Sequence, residues 1–171
     1  MKNIFSIKVF AIFIIVGLSC THTFASPLSK PTGKVILTVS GQISHTNVGD
    51  TVQFDRAMLL ALGMSDLQTE TPWSEGSDLY QGPMLSALLE TVGAQGNALK
   101  VTALNDYSAV VPSEDASKYN VLLAMDINGK PMSVRDKGPL FFLYPFSDNP
   151  ELNNEVIHNR SVWQIKSIVV Q

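Results

Sequence analysis

The sequence predicts an α+β fold in which strands outnumber helices. Short segments alternate apolar and polar residues with a period of two, as Val35, Leu37 and Val39 do. Helix start and stop signals bracket two stretches, Asp55 to Gly63 and Pro83 to Gly93. Strands and helices do not alternate regularly along the chain, as they would in a parallel α/β sheet.

In chain order, the first strand runs through Val35, Leu37 and Val39, with Gly41 as its end. Thr51 to Phe54 repeats the alternation, and the Asp55 carboxylate is placed to cap a helix running to about Leu62, stopped by Gly63. Leu67 to Thr71 is a further strand, followed by Pro72-Trp73 and a polar loop from Ser74 to Asp78. Pro83 opens the clearest helix, since a proline in the first turn gives up only an amide that would go unpaired anyway. Met84, Leu85, Leu88, Leu89 and Val92 then recur at helical spacing.

Leu99, Val101 and Ala103 form a strand that turns through "NDY" and returns over Ser108 to Val111, and Ser113 caps a short acidic helix of about two turns. A single strand is expected from Asn120 to Ile127, where Asn128-Gly129 supplies the positive backbone angles of a two-residue hairpin turn. Leu140 to Tyr144 reads as a buried strand, Asn149 to Asn159 as a polar loop, and Val162, Ile165, Ile168 and Val170 as the last strand.

The N-terminus carries an export signal. Lys2 and Lys8 precede the apolar run Val9 to Leu18, and the small-residue exit Thr23-Phe24-Ala25 follows. That run is too short for a membrane span, which needs about 18 apolar residues or more, and the mature chain has no other candidate. Cys20 raises a lipoprotein reading, but Gly17 stands where a lipobox usually has leucine, so cleavage after Ala25 is the expectation. Residues 1–25 are thus a signal peptide, 26–33 an exposed leader, and 34–171 one domain, released to the periplasm or secreted.

Cleavage removes the only cysteine, so the mature chain must hold together without disulfides or thiolate ligands. Without Lys2 and Lys8, ten basic side chains face 15 acidic ones, a formal charge of −5. Nucleic acid is excluded as a partner on that balance, because phosphate binding needs a basic face.

The common catalytic signatures are missing: the chain has no Gly-x-Ser-x-Gly elbow, phosphate-cradling glycine loop, HExxH or Cys-x-x-Cys. His45 and His158 lie in polar, loop-like surroundings without a partner at metal-ligand spacing, so no metal ligand is assigned. Asp106 and Tyr107 share a turn in which a carboxylate and a phenol could face a pocket, although an Asn-Asp turn needs no function to explain it. Arg135, Asp136 and Lys137 precede Gly138-Pro139. They are either a solvated loop or the rim of a site for an anion, which arginine can grip with two hydrogen bonds. Trp73 and Trp163 suit packing at a rim as well as ligand stacking, and the sequon Asn159-Arg160-Ser161 carries no weight.

Four blocks, in order, resemble the molybdopterin-binding oxidoreductase domain of the sulfite oxidase family. They are "YQGPMLSALLETVGA", "ALNDYSAVVPSEDA", "VLLAMDINGKPMSVRDKGPLFFLYP" and "RSVWQIKSIVV". The resemblance implies a compact mixed-β fold with a few short helices and a cofactor cleft lined by loops. It places Tyr107 on the family's active-site tyrosine and Arg135 to Gly138 on the loop that opens toward the cofactor, with molybdopterin as the candidate cofactor. The family's molybdenum-ligating cysteine falls near Leu67 to Trp73, where this chain reads "LQTETPW". A threonine hydroxyl is a poor substitute for a thiolate. The family's basic segment before the final strand is reduced to Arg160.

The leading expectation is an exported binding module for a small anionic or pterin-like ligand. Trp73, Tyr107, Arg135 and Lys137 would line its cleft, with Asp106 and Asp136 orienting the cations or accepting hydrogen bonds. One alternative is a molybdopterin-dependent oxidoreductase acting on an oxyanion or sulfoxide, with Tyr107 beside the metal. The other is a periplasmic accessory protein that presents a surface to a membrane receptor.

Overall fold

The computed structural model describes residues 28–171. The signal-peptide reading and Cys20 lie outside the described residues. Three sheets make up the fold: a five-stranded sheet, a four-stranded sheet and a two-stranded ribbon, with four short α-helices between them.

The five-stranded sheet has the order β2-β1-β11-β5-β6. It is built from β1 (Val35–Gly41), β2 (Val52–Asp55), β5 (Ala98–Ala103), β6 (Ser108–Pro112) and β11 (Ile165–Val170). The first and last strands pair in parallel, with Thr38 opposite Ser167, and the other neighbours are antiparallel. The predicted alternation turns Leu37, Val39, Leu99, Val101, Ile165 and Ile168 inward, each fully buried. Burying a side chain of that size stabilises by about 1.5–3 kcal/mol before entropy is charged against it.

Asp55 caps α1 (Arg56–Leu60), accepting from the Met58 amide at 2.9 Å. Its other oxygen accepts from the amides of Gly33 and Thr32, at 2.8 and 2.9 Å. The Met58 amide first, then those of Gly33 and Thr32, hold the carboxyl below its ordinary pKa.

The four-stranded sheet runs β3-β4-β8-β9 and contains β3 (Ser65–Glu70), β4 (Ser77–Gly82), β8 (Asp126–Ile127) and β9 (Lys130–Pro131). Residues 77 and 78, expected in a loop, begin β4. Of its residues only Tyr80 and Gly82 are buried, a pattern too sparse to register as a strand in sequence. A Cβ at Gly82 would come within 2.0 Å of the Leu123 carbonyl, so this crossing requires glycine.

The expected single strand from Asn120 to Ile127 is two strands. β7 (Leu122–Ala124) pairs with β10 (Phe141–Leu143), whereas β8 pairs with β4 and β9. Buried Met125 is the residue between them, where the chain passes from one sheet to the other. The Asn128-Gly129 turn forms as expected, with φ of 50° and 75°.

α2 (Leu85–Thr91) buries Leu85 and Leu88, and Val92 follows as its C-cap. α3 (Asp115–Lys118) is a single turn, not two, and Ser113 does not cap it with its side chain. The Ser113 hydroxyl donates instead to the Gly96 carbonyl. The stretch expected as a polar loop holds a 3₁₀ turn (Pro150–Leu152) and α4 (Glu155–Arg160), capped by Asn154, which accepts from the Ile157 amide. Only Ile157 of α4 is buried, so the helix lacks the apolar stripe that would announce it. Among the described residues no helix is long and apolar enough to cross a membrane.

Candidate functional site

A cleft of about 320 Å³ opens where the β5–β6 turn, α4 and the approach to β11 meet the loop after β3. Its principal side chains are Trp73, Asn105, Tyr107, His158 and Trp163. The volume lies at the small end of the range for ligand pockets, about 300–1,000 Å³.

Each of these side chains is positioned by a local device. Trp73 sits in a turn held by the Thr71 hydroxyl, which accepts from the Trp73 amide and shares a 2.7 Å hydrogen bond with Ser74. Trp163 is placed by the pairing of Phe141 with Trp163 and by the Phe142 amide, which donates to the Val162 carbonyl. The two indoles meet edge to face with centroids 5.3 Å apart, and Trp73 also packs edge-on against Phe141, Phe146 and His158. Tyr107 follows Asp106, a left-handed residue with φ of 67°, and its amide donates to Asn105 Oδ1. The Tyr107 hydroxyl donates to the Asn159 carbonyl at 3.2 Å, yet the residue remains 48% exposed. His158 shares a 2.8 Å hydrogen bond between Nε2 and Asn153 Oδ1, which fixes its ring at the cleft wall.

Among the described residues no carboxylate, ammonium or guanidinium lines this cleft. The charged neighbours in sequence engage elsewhere. Asp106 pairs with Lys166 at 2.5 Å, and that hydrogen bond lowers its pKa. Arg160 donates to buried Asp115 at 3.0 Å, and the Tyr144 hydroxyl donates to the same oxygen at 2.7 Å. Burial first, then that carboxylate, push the Tyr144 phenol well above its ordinary pKa, so it stays protonated and donating.

Of the residues singled out in the sequence, Trp73, Tyr107 and Trp163 come together in the cleft. Asp106 lies outside it, facing Lys166. Arg135 and Asp136 sit in an exposed 3₁₀ turn (Val134–Asp136), with Lys137 next in the left-handed region at φ 71°. Asp136 accepts from the Ser133 hydroxyl at 2.6 Å. Gln164 ties this turn to the cleft region: its amide donates to the Lys137 carbonyl and its side chain to the Val134 carbonyl. Sequence reasoning passed over His158, Asn159 and Asn105 as cleft residues. The available signal was Asn154, a helix-capping residue three positions before apolar Ile157, which places His158 and Asn159 on a helix.

The residues present do not fit the complete molybdopterin cofactor. Residues 28–171 contain no cysteine, and among the described residues no three His, Cys, Asp or Glu side chains cluster to hold a metal. Thr69, in the segment where the family carries its thiolate, is fully buried, and its hydroxyl is committed to the Glu70 carbonyl and to Ser147. The cofactor phosphate would also find no cation in the cleft among the described residues, and Arg160 is bound to Asp115. What the cleft does offer is aromatic edges and faces, with amide, imidazole and phenol groups for hydrogen bonding.

A family model described as "oxidoreductase molybdopterin binding domain" matches residues 61–146, half of the chain. That span runs from the end of α1 through β10, taking in Trp73, Tyr107 and the Arg135 turn but not α4 or β11. Among solved structures, a chain in the crystal structure of the sulfane dehydrogenase SoxCD from Paracoccus pantotrophus is similar, with a TM-score of 0.58 and 18% identity. The likeness covers 78% of this chain and 37% of that one, so this chain spans little more than a third of its structural relative. No curated protein matches. The family model covers half of the chain and the structural likeness agrees with it, so the chain belongs to the oxidoreductase molybdopterin-binding domain family, of the sulfite oxidase type.

Proposed function

We propose that the protein is an exported binding module whose aromatic cleft takes up a small, planar, hydrogen-bonding ligand of pterin type, without metal-thiolate chemistry. One observation supports this above the others: Trp73, Tyr107, His158 and Trp163 converge on a cleft whose lining carries no formally charged side chain. A flat heterocycle gains from stacking on indole and phenol faces, and Asn105 and Asn159 supply donors and acceptors for its edges. An anion would instead be left without a counter-charge in a partly desolvated site. Within the binding-module reading, the uncharged lining therefore favours the pterin-like ligand over the anionic one. The N-terminal pattern from Lys2 to Ala25 supports export to the periplasm or medium.

The test is a titration of the purified mature chain with 6-hydroxymethylpterin, followed by tryptophan fluorescence. Trp73 and Trp163 are the only tryptophans, so saturable quenching reports the cleft directly. Absence of quenching up to millimolar probe would sink the pterin assignment. Molybdenum analysis of protein from its native host separates this reading from the oxidoreductase one. Stoichiometric metal with turnover of an oxyanion or sulfoxide would overturn the binding-module reading.

A further inference from the structure

A second concavity, of about 640 Å³, lies against β1 and β11, outside the aromatic cleft. Val35, Ile36, Leu104 and Val134 give it an apolar wall, and Lys34 and Lys166 also line it. Val35, Leu104 and Val134 are 37%, 46% and 52% exposed, placing three of the large exposed apolar side chains in one groove. Scattered apolar residues on a surface need no explanation, but a contiguous set in a concavity marks an interaction site.

The charges around the groove point to its occupant. Among the described residues no carboxylate lines it. Arg135 follows Val134 in the same 3₁₀ turn and is exposed. Among the described residues neither Lys34 nor Arg135 is in an ion pair, while Asp106 is bound to Lys166 and Asp136 to the Ser133 hydroxyl. A cationic, apolar groove on a chain whose formal charge is −3 complements an acidic partner. Its concavity suits the side chains of a protein segment, whereas a bilayer surface is met by projecting apolar residues.

We propose that this groove docks an acidic amphipathic segment of a partner protein. Its apolar side chains lie against Val35, Leu104 and Val134, and its carboxylates face Lys34 and Arg135. The proposal is independent of what the aromatic cleft binds.

Site-specific photo-crosslinking in the native host tests it, with a photoreactive residue replacing Leu104 or Val134 in the full chain and thermal melts confirming that each variant folds. The expected product is a crosslink to one protein, mapped by mass spectrometry to a segment in which acidic residues flank an apolar stripe. Lys34→Glu combined with Arg135→Glu should cut the yield at least ten-fold. The same probe at Val110, outside the groove, should give no such product. Trp73→Ala should leave the crosslink intact, which keeps this result separate from failure of the pterin reading. Crosslinks only to lipid, to a second copy of the chain or to a segment without acidic residues would each overturn the proposal. So would the absence of any crosslink, or a yield unmoved by charge reversal.

Discussion

Trp163 and Gln164 are adjacent in sequence but serve two regions built on opposite lines. Trp163 lines the aromatic cleft, while Gln164 ties down the turn that carries Arg135 and Lys137. Around the cleft the nearby charges are matched internally, Arg160 with Asp115 and Asp106 with Lys166. In the turn, Arg135 and Lys137 form no ion pair among the described residues. With Arg160 and Lys166 committed to the fold, the cleft lining is uncharged among the described residues, as the proposed pterin-type ligand requires. Arg135 is exposed and Lys137 half-buried, and the docking proposed above draws on the first of them.

The largest effect should come from Asp115→Ala, which strands the Arg160 guanidinium and the Tyr144 hydroxyl around a buried position. Removing one partner of a buried ion pair costs about 3–5 kcal/mol, and partial exposure of Arg160 puts the expected loss near the lower bound, about 3 kcal/mol in urea unfolding. An unchanged unfolding midpoint would mean that Arg160 is not committed to the fold, and the contrast between the regions would fail.

Next, Trp73→Ala should weaken binding of 6-hydroxymethylpterin at least ten-fold, about 1.4 kcal/mol, by calorimetric titration. Equal affinity in the variant would remove the cleft from ligand recognition. Tyr107→Phe should be milder. It deletes a 3.2 Å hydrogen bond from a half-exposed phenol, worth about 0.5 kcal/mol of stability in the same unfolding assay. A loss several times larger would give Tyr107 a structural role that its exposure does not suggest.

The smallest effect on the cleft should come from Arg135→Ala combined with Lys137→Ala. Pterin affinity should change less than two-fold and stability by no more than about 0.5 kcal/mol, since Arg135 is exposed, Lys137 is half-buried and neither is in an ion pair among the described residues. A loss matching that of Trp73→Ala would merge the two regions into one site.

Legibility in the sequence followed the strength of the local signal. Asp55 as a helix cap and Asn128-Gly129 as a hairpin turn were readable because each depends on a few residues whose chemistry acts on their own backbone. α4 was missed because Ile157 is its only buried residue, and β4 because Tyr80 and Gly82 alone mark its inner face. The division of the Asn120–Ile127 stretch into β7 and β8 was hidden for a different reason. Both halves are apolar or extended, and the choice of partner sheet lies in residues far along the chain.

By itself the sequence determined the α+β class, the inward Leu37 and Val39 of β1, Leu99, Val101 and Ala103 of β5 and Ile165, Ile168 and Val170 of β11, though not the exposure of Val35, together with the family resemblance and the lack of a thiol beyond Cys20, since these depend on residue type, order and period. Tertiary structure alone decided which polar groups were left available. Arg160, Asp106, Arg135 and Lys137 are equally charged on paper, but packing brings Asp115 to the first and Lys166 to the second and leaves the other two exposed or half-buried without an ion pair among the described residues. An ion pair depends on distances of a few ångströms between residues as far apart as Asp115 and Arg160 in the chain, and only the closed fold sets those distances.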